Sequence, residues 1–267
     1  MEFYNVKIKR YIRGNVQLIA YSRYNVLGVP SVNKDKKRVP VDYSMLSTED
    51  IIYRKSKCIR DSVNRSINKI YDIARANEWK WFVTLTFNPE KVDSFDYAAC
   101  TKKLSKWLAK LKEKDKEMKY LVIPEKHKSG RYHFHALLSD CCNIKFVESG
   151  KLTDSGLTIY NIGNYKLGFT TAIEVYNSDG ISKYICKYIT KDLASTTKGK
   201  RRYWASKNVD KPKEEIFDMD LQKLDLDIQV DLKLIHYQQK DKNKVDFNTG
   251  EIIPNFIRYY ELKYEEA

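Results

Sequence analysis

The first 30 residues alternate apolar and polar positions around Arg13-Gly14-Asn15, a pattern that predicts a β-hairpin. A polar stretch from Asn33 to Arg38 reads as a loop. Ser47 or Thr48 is then placed to cap a long helix, with Glu49 and Asp50 in its first turn. Its apolar stripe is Ile52, Ile59, Val63, Ile67, Ile70 and Ala74. Residues 79–87, WKWFVTLTF, are rich in aromatic and β-branched side chains and predict a strand, ended by Asn88-Pro89. Asp93 or Ser94 then caps a second helix that buries Tyr97, Leu104, Leu108 and Leu111. Strands over 120–124 and 131–139 flank a KHKSG turn, and 168–175, GFTTAIEV, predicts a further strand. Residues 181–193 have the spacing of an amphipathic helix. The order β-α-β-β-β-α implies an α+β fold, a central antiparallel sheet with flanking helices.

After Pro212 the pattern changes. Leu224, Leu226, Ile228, Val230, Leu232 and Leu234 alternate with polar residues, as in a half-buried strand. Asn248-Thr249-Gly250 marks a turn before a last aromatic segment. Three regions are therefore expected: an N-terminal hairpin extension over 1–47, a sheet-and-helix domain over 48–210, and a β-rich extension over 211–267.

Charge sharpens this division. The chain carries 49 Lys and Arg against 35 Asp and Glu, a net +14. Residues 214–267 hold 7 basic and 13 acidic groups, so the first 213 residues carry +20 of that balance. A folded region so basic and rich in tyrosine points to a polyanion, most commonly nucleic acid, although a merely soluble basic surface has the same composition. Five cysteines, Cys141 and Cys142 adjacent, do not suggest a disulfide framework, so a reduced cytoplasmic setting is expected. No apolar run approaches the roughly 18–20 residues of a membrane span, and no hydrophobic signal core opens the chain.

Two groups of residues could carry chemistry. His133 and His135 lie two apart on a predicted strand and so project from one face, as a shared metal-ligand pair requires. The pair alone is weak evidence, but the KHKSG hairpin returns Glu125 beside it. Two imidazoles and a carboxylate leave open positions on an ion, and suit Mg²⁺ or Mn²⁺ completed by phosphate and water. His127, in the turn, is a substitute ligand or an exposed residue. His236 is expected to be structural. In the helix ISKYICKYITKDL, Tyr184 and Tyr188 stack four apart, with Lys187 and Lys191 within about 60° of Tyr184 and Ile185, Ile189 and Leu193 opposite. Two phenols and two ammonium groups could hold and attack a phosphate. Two tyrosines packed on a sheet edge, beside solvated lysines, would show the same spacing.

Taken in order, these motifs resemble the replication initiators of the HUH endonuclease superfamily. WFVTLTF (81–87) is similar to their first motif, YHFHALLS (132–139) to the metal-binding motif and YICKYITK (184–191) to the nucleophile motif. The Tyr-x-x-x-Tyr form is similar to the two-tyrosine rolling-circle initiators of single-stranded DNA phages and some plasmids, as is KGKRRYWAS (198–206). The resemblance covers about 60–207. It implies a ferredoxin- or RRM-like core that nicks and rejoins single-stranded origin DNA, through a 5′-phosphotyrosine that leaves a 3′-OH primer. His133, His135 and Glu125 match the metal ligands, Tyr184 the nucleophile, Lys187 the motif lysine and Tyr188 the second tyrosine. No G-x-x-x-x-G-K-[ST] loop is present, so a separate helicase and a host polymerase are expected as partners. Arg201, Arg202, Tyr203 and Trp204, with Lys191, combine cations and aromatics suited to single-stranded DNA, unless Trp204 anchors a basic loop in the core. Competing readings are a transposase of the same superfamily, a metallohydrolase using water, and a basic nucleic-acid-binding module without catalysis.

Overall fold

The computed structural model describes residues 2–27, 43–141, 143–189, 197, 199–224, 232–245 and 250–264. The chain order is β1 (Glu2–Arg10), β2 (Asn15–Leu27), α1 (Thr48–Arg75), β3 (Trp81–Leu85), α2 (Tyr97–Lys114), β4 (Tyr120–Lys126) and β5 (Tyr132–Leu138). It continues with β6 (Phe146–Leu152), β7 (Thr158–Ile162), β8 (Thr170–Glu174), α3 (Ser178–Ile185), a 3-10 turn (Cys186–Tyr188) and β9 (Trp204–Ala205). Strands β10 (Lys213–Phe217), β11 (Leu232–Asp241), β12 (Lys244–Val245), β13 (Ile252–Ile253) and β14 (Phe256–Tyr264) follow. The fold is α+β with antiparallel sheets, in two compact units: Met1–Asp42 with Pro212–Ala267, and Tyr43–Lys211.

The first unit is built on a five-stranded sheet ordered β10-β1-β2-β14-β11. Its hairpin turns at Arg13 (φ 57°) and Gly14 (φ 67°), the two successive positive φ values of a type I′ turn. The two terminal segments, expected as separate extensions, are one body: β14 pairs with β2 from Ile257↔Tyr21 to Lys263↔Asn15. A lone hairpin is marginal in water, and here the second segment covers Val6, Val16, Leu18 and Ala20 with Tyr260 and Leu262. Charge supports the join. On β1, Lys7 lies 3.0 Å from Glu214 of β10, and Arg10 lies 3.1 Å from Glu215. Burial works to raise the Glu214 carboxyl, but Lys7 and Lys9 outweigh it and hold the group below its ordinary range.

The expected strand over 224–234 is corrected. Leu224 is buried in a helical turn, 225–231 lie outside the described residues, and β11 begins only at Leu232, with Leu234 exposed. The alternation there marks a face, but that face is not half-buried throughout. The Asn33–Arg38 loop also lies outside the described residues, as do Asn248 and Thr249 of the last turn.

The second unit has a seven-stranded sheet ordered β6-β7-β8-β3-β5-β4-β9. Trp81, Val83 and Leu85 of β3 and Phe134 of β5 are buried, and α2 packs beneath β5 through Tyr97, whose ring meets Tyr132 at 5.0 Å. The other face carries Phe82, Thr84, His133 and His135, and receives α3, which also packs on α1. Ser47 caps α1 by accepting from Asp50 N. Val63, Ile70 and Ala74 are buried as expected, but Ile52 is exposed, because the first turns of α1 have no apolar surface to cover them. Asp96, not Asp93 or Ser94, caps α2; Asp93 instead accepts from Phe95 N in the turn before it. The β6–β7 hairpin was missed, since FVESGKL is polar, exposed and interrupted by a bulge between Glu148 and Lys151. The amphipathic segment begins at Ser178, and its expected end falls at 190–196, outside the described residues.

Gly168 lies where β3 runs past its neighbour. Thr86 N and Asn88 N donate to Phe169 O and Leu167 O, and a Cβ on Gly168 would stand 2.1 Å from Thr86 O. Gly168→Ala must therefore push the strand end aside. We expect a loss of about 1–3 kcal/mol, read as a melting temperature lowered by roughly 3–10 °C.

Candidate active site

The site is assembled by strand register. Thr84 of β3 stands opposite His135 of β5, and Glu125 of β4 opposite His133, so all four side chains share one face. The KHKSG turn returns the chain with Gly130 at φ 88°, and its backbone N–H donates to His127 O. Glu125 reaches diagonally: its Oε2 lies 2.8 Å from His135 Nε2. The other ring nitrogens face threonines, His135 Nδ1 at 3.2 Å from Thr84 Oγ1 and His133 Nδ1 at 3.5 Å from Thr86 Oγ1. A hydroxyl can donate or accept, so it suits either imidazole tautomer. Burial lowers both histidines below their ordinary pKa; beside His133 the neighbouring His127 adds to this, and beside His135 the Glu125 carboxylate only partly opposes it. Both rings are therefore neutral near pH 7, the form that binds metal.

Among the described residues, no three His, Cys, Asp or Glu side chains are already gathered at ligand spacing. The donors nevertheless fit a divalent ion chemically. Threonine contacts at both Nδ1 atoms orient the rings, as outer partners of metal-bound histidines do, and leave the Nε2 atoms for coordination. His127 is exposed, its ring 5.5 Å from that of His133 and its Nδ1 held by Ser129. His236 is exposed on β11 of the other unit and packs in no core, contrary to its expected structural role.

The tyrosines come to the same face. The Tyr188 ring stacks on His135 with centroids 3.5 Å apart, and its hydroxyl donates to the Tyr184 oxygen at 2.9 Å. Tyr184 is 42% exposed, and Lys187 Nζ lies 5.2 Å from its ring centroid. Burial raises the Tyr188 phenol far above its ordinary value, with its hydrogen bond to Tyr184, the Tyr184 charge and nearby Glu125 adding to the effect. Tyr188 is thus a standing donor, and Tyr184 the accessible oxygen that receives it. The helix over 178–185 aims both rings because Ile185 and Ile189 bury the opposite side. Phe82, unremarked in the sequence, beds the group: its ring lies 5.8 Å from His135 and 5.5 Å from Tyr184. Its position between Trp81 and Val83 on an alternating strand was the available signal.

The remaining expected residues separate. Lys191 lies outside the described residues. Arg201 is exposed, while Arg202 is half-buried and donates to Ser62 Oγ at 2.7 Å. Tyr203 packs against the core. Trp204 is a correction: it is buried against Phe134 and Tyr97, which leaves its indole no face for a base. Its place on β9, beside Val122 at the sheet edge, explains why an aromatic is needed there.

Residues 80–193, less than half of the chain, match the model of a family described as replication-associated protein, of the ORF2 type. That stretch contains Glu125, both histidines, Lys187 and both tyrosines. The match supports a rolling-circle replication-initiator family, a part in DNA replication and DNA as the partner. No curated protein and no solved structure matches the chain. Among the described residues, no helix is long and apolar enough to cross a membrane.

Proposed function

We propose that the Tyr43–Lys211 unit nicks and rejoins single-stranded origin DNA, with Tyr184 as first nucleophile. The observation that carries this reading is the junction of two groups that lie far apart in the sequence. Tyr188, stacked on His135, links the exposed Tyr184 oxygen to the His133, His135 and Glu125 donors. A buried aromatic pair would serve packing alone, but packing has no use for a hydroxyl chain that ends at solvent.

The residues divide the work as follows. His133, His135 and Glu125 would hold Mg²⁺ or Mn²⁺, which supplies positive charge to the scissile phosphate. Tyr184 loses its phenolic proton and its oxygen attacks phosphorus. The bond to O3′ breaks, and that oxygen takes a proton to become the 3′-OH. The 5′ end remains on Tyr184 as a phosphodiester, so the strand can be rejoined without ATP. Tyr188 donates to the Tyr184 oxygen and so favours its charge as the proton leaves. Lys187, beside the ring, adds to this and can meet a phosphate oxygen. Tyr188 then serves the second transfer, taking the regenerated origin while Tyr184 holds the first end. A separate helicase would open the duplex and a host polymerase extend the 3′-OH, in the reduced cytoplasm of a bacterial cell.

The test incubates the protein with labelled single-stranded origin candidates and Mn²⁺, with EDTA as control, on a denaturing protein gel. A metal-dependent covalent band is expected. Cleavage without an adduct would point to a water-using metallohydrolase, and binding alone to a module without catalysis. A milder variant probes the metal: Thr84→Val removes the hydroxyl from His135 Nδ1 and should weaken Mn²⁺ binding about 10–100-fold, read by calorimetric titration of the intact protein.

A further inference from the structure

Beyond the tyrosine site, a groove of about 830 Å³ runs between α1 and the segment over 199–211. One wall is Ser62 and Ser66 of α1. The other is basic, lined by Lys200, Arg201, Arg202, Lys207 and Lys211 with no acidic side chain among the lining residues. Lys200, Arg201, Lys207 and Lys211 are exposed, whereas Arg202 is half-buried and tied across the groove to Ser62 at 2.7 Å. Its Nε is buried and has no hydrogen-bond partner among the described residues. A buried guanidinium N–H without an acceptor is costly, and a phosphate oxygen would relieve it. Lys69 extends the Ser62–Ser66 row by helical spacing and is exposed.

We propose that this groove binds the sugar–phosphate backbone of single-stranded DNA, as a site distinct from the catalytic face. Five cations converging on two hydroxyls complement a row of phosphates. The volume suits a few nucleotides of one strand, in the range of a small-molecule site, and is too narrow for a duplex. Tyr203, half-buried in the groove lining, offers part of a ring to a base. In the reading above, the groove would hold the strand while Tyr184 acts on it, but its ligand can be tested with no strand transfer at all.

The test measures fluorescence anisotropy of labelled oligo(dT) with the full chain in EDTA, at several salt concentrations. The combined variant Lys200→Ala, Lys207→Ala and Lys211→Ala removes only exposed side chains. It is expected to weaken binding about 10–100-fold and to reduce the magnitude of the log affinity against log salt slope by about 2. Ser66→Asp, which places a carboxylate in the groove, should weaken binding in the same direction. A control removing Lys102, Lys106 and Lys110 from the exposed face of α2 changes net charge equally and should leave most of the slope intact. Equal losses in the two triple variants, an unchanged slope, or a blunt duplex that binds with the same groove dependence would overturn the proposal. If oligo(dT) binding follows the groove while no adduct ever forms, the groove stands and the nicking reading falls.

Discussion

A Tyr184→Phe protein is expected to form no covalent adduct with single-stranded DNA, while a Tyr188→Phe protein still forms one. The first substitution deletes a single exposed oxygen. The ring keeps its edge-on contact with Phe82 at 5.5 Å, so folding has little reason to change. Removing a nucleophile that no neighbour replaces should lower the single-turnover rate on the order of 10⁴-fold or more. Tyr188→Phe removes the donor to the Tyr184 oxygen and nothing else from the stack on His135. Its first cleavage should slow by up to about 10²-fold, the effect of losing one donor to a developing oxyanion. It should then fail at the second transfer, leaving the first adduct unresolved. Quenched-flow sampling on denaturing gels checks both. An inactive Tyr188→Phe beside an active Tyr184→Phe would exchange the two roles.

The second large effect concerns the donors. Chelation of divalent metal is expected to lower adduct formation on the order of 10³-fold, the scale of several kcal/mol of charge stabilisation. His133→Ala should reproduce that level in the presence of Mn²⁺ and show no further loss with EDTA. His133 is only half-buried, so the variant should remain folded. His135 is 6% exposed, enclosed by Phe82, Tyr188 and Glu125, and alanine there would leave a cavity and an unpartnered carboxylate. His135→Gln is therefore the better second variant, because it fills the space while losing the imidazole. Rates insensitive to both EDTA and His133→Ala would remove metal from the mechanism.

Much of the second unit was legible because its elements carry strong local periods. The aromatic and β-branched run of β3 and the His-x-His spacing of β5 each dictate a strand, and the hairpin between β4 and β5 follows from one turn. From these alone, Glu125 could be set beside the histidines. What stayed hidden was non-local or polar. Nothing in residues 15–21 announces pairing with 257–263, since backbone hydrogen bonds across that distance leave no pattern in either segment. The β6–β7 hairpin lacks an apolar face to betray it. In the site, Thr84 and Thr86 read as ordinary strand residues, and their contacts with the ring nitrogens appear only once β3 and β5 are in register. Trp204 shows the reverse error: an aromatic among cations suggested a stacking platform, whereas the sheet edge needed it for packing.

The most direct test of the central claim is mass spectrometry of the adduct itself. Wild-type protein is incubated with a single-stranded origin oligonucleotide and Mn²⁺, digested with nuclease and protease, and the modified peptide sequenced. The account predicts a nucleotide 5′-phosphate on the Tyr184 oxygen at early times, joined by Tyr188 only after the origin has been regenerated. A phosphonucleotide on Tyr188 alone, or on no tyrosine while DNA is still cleaved, would contradict it.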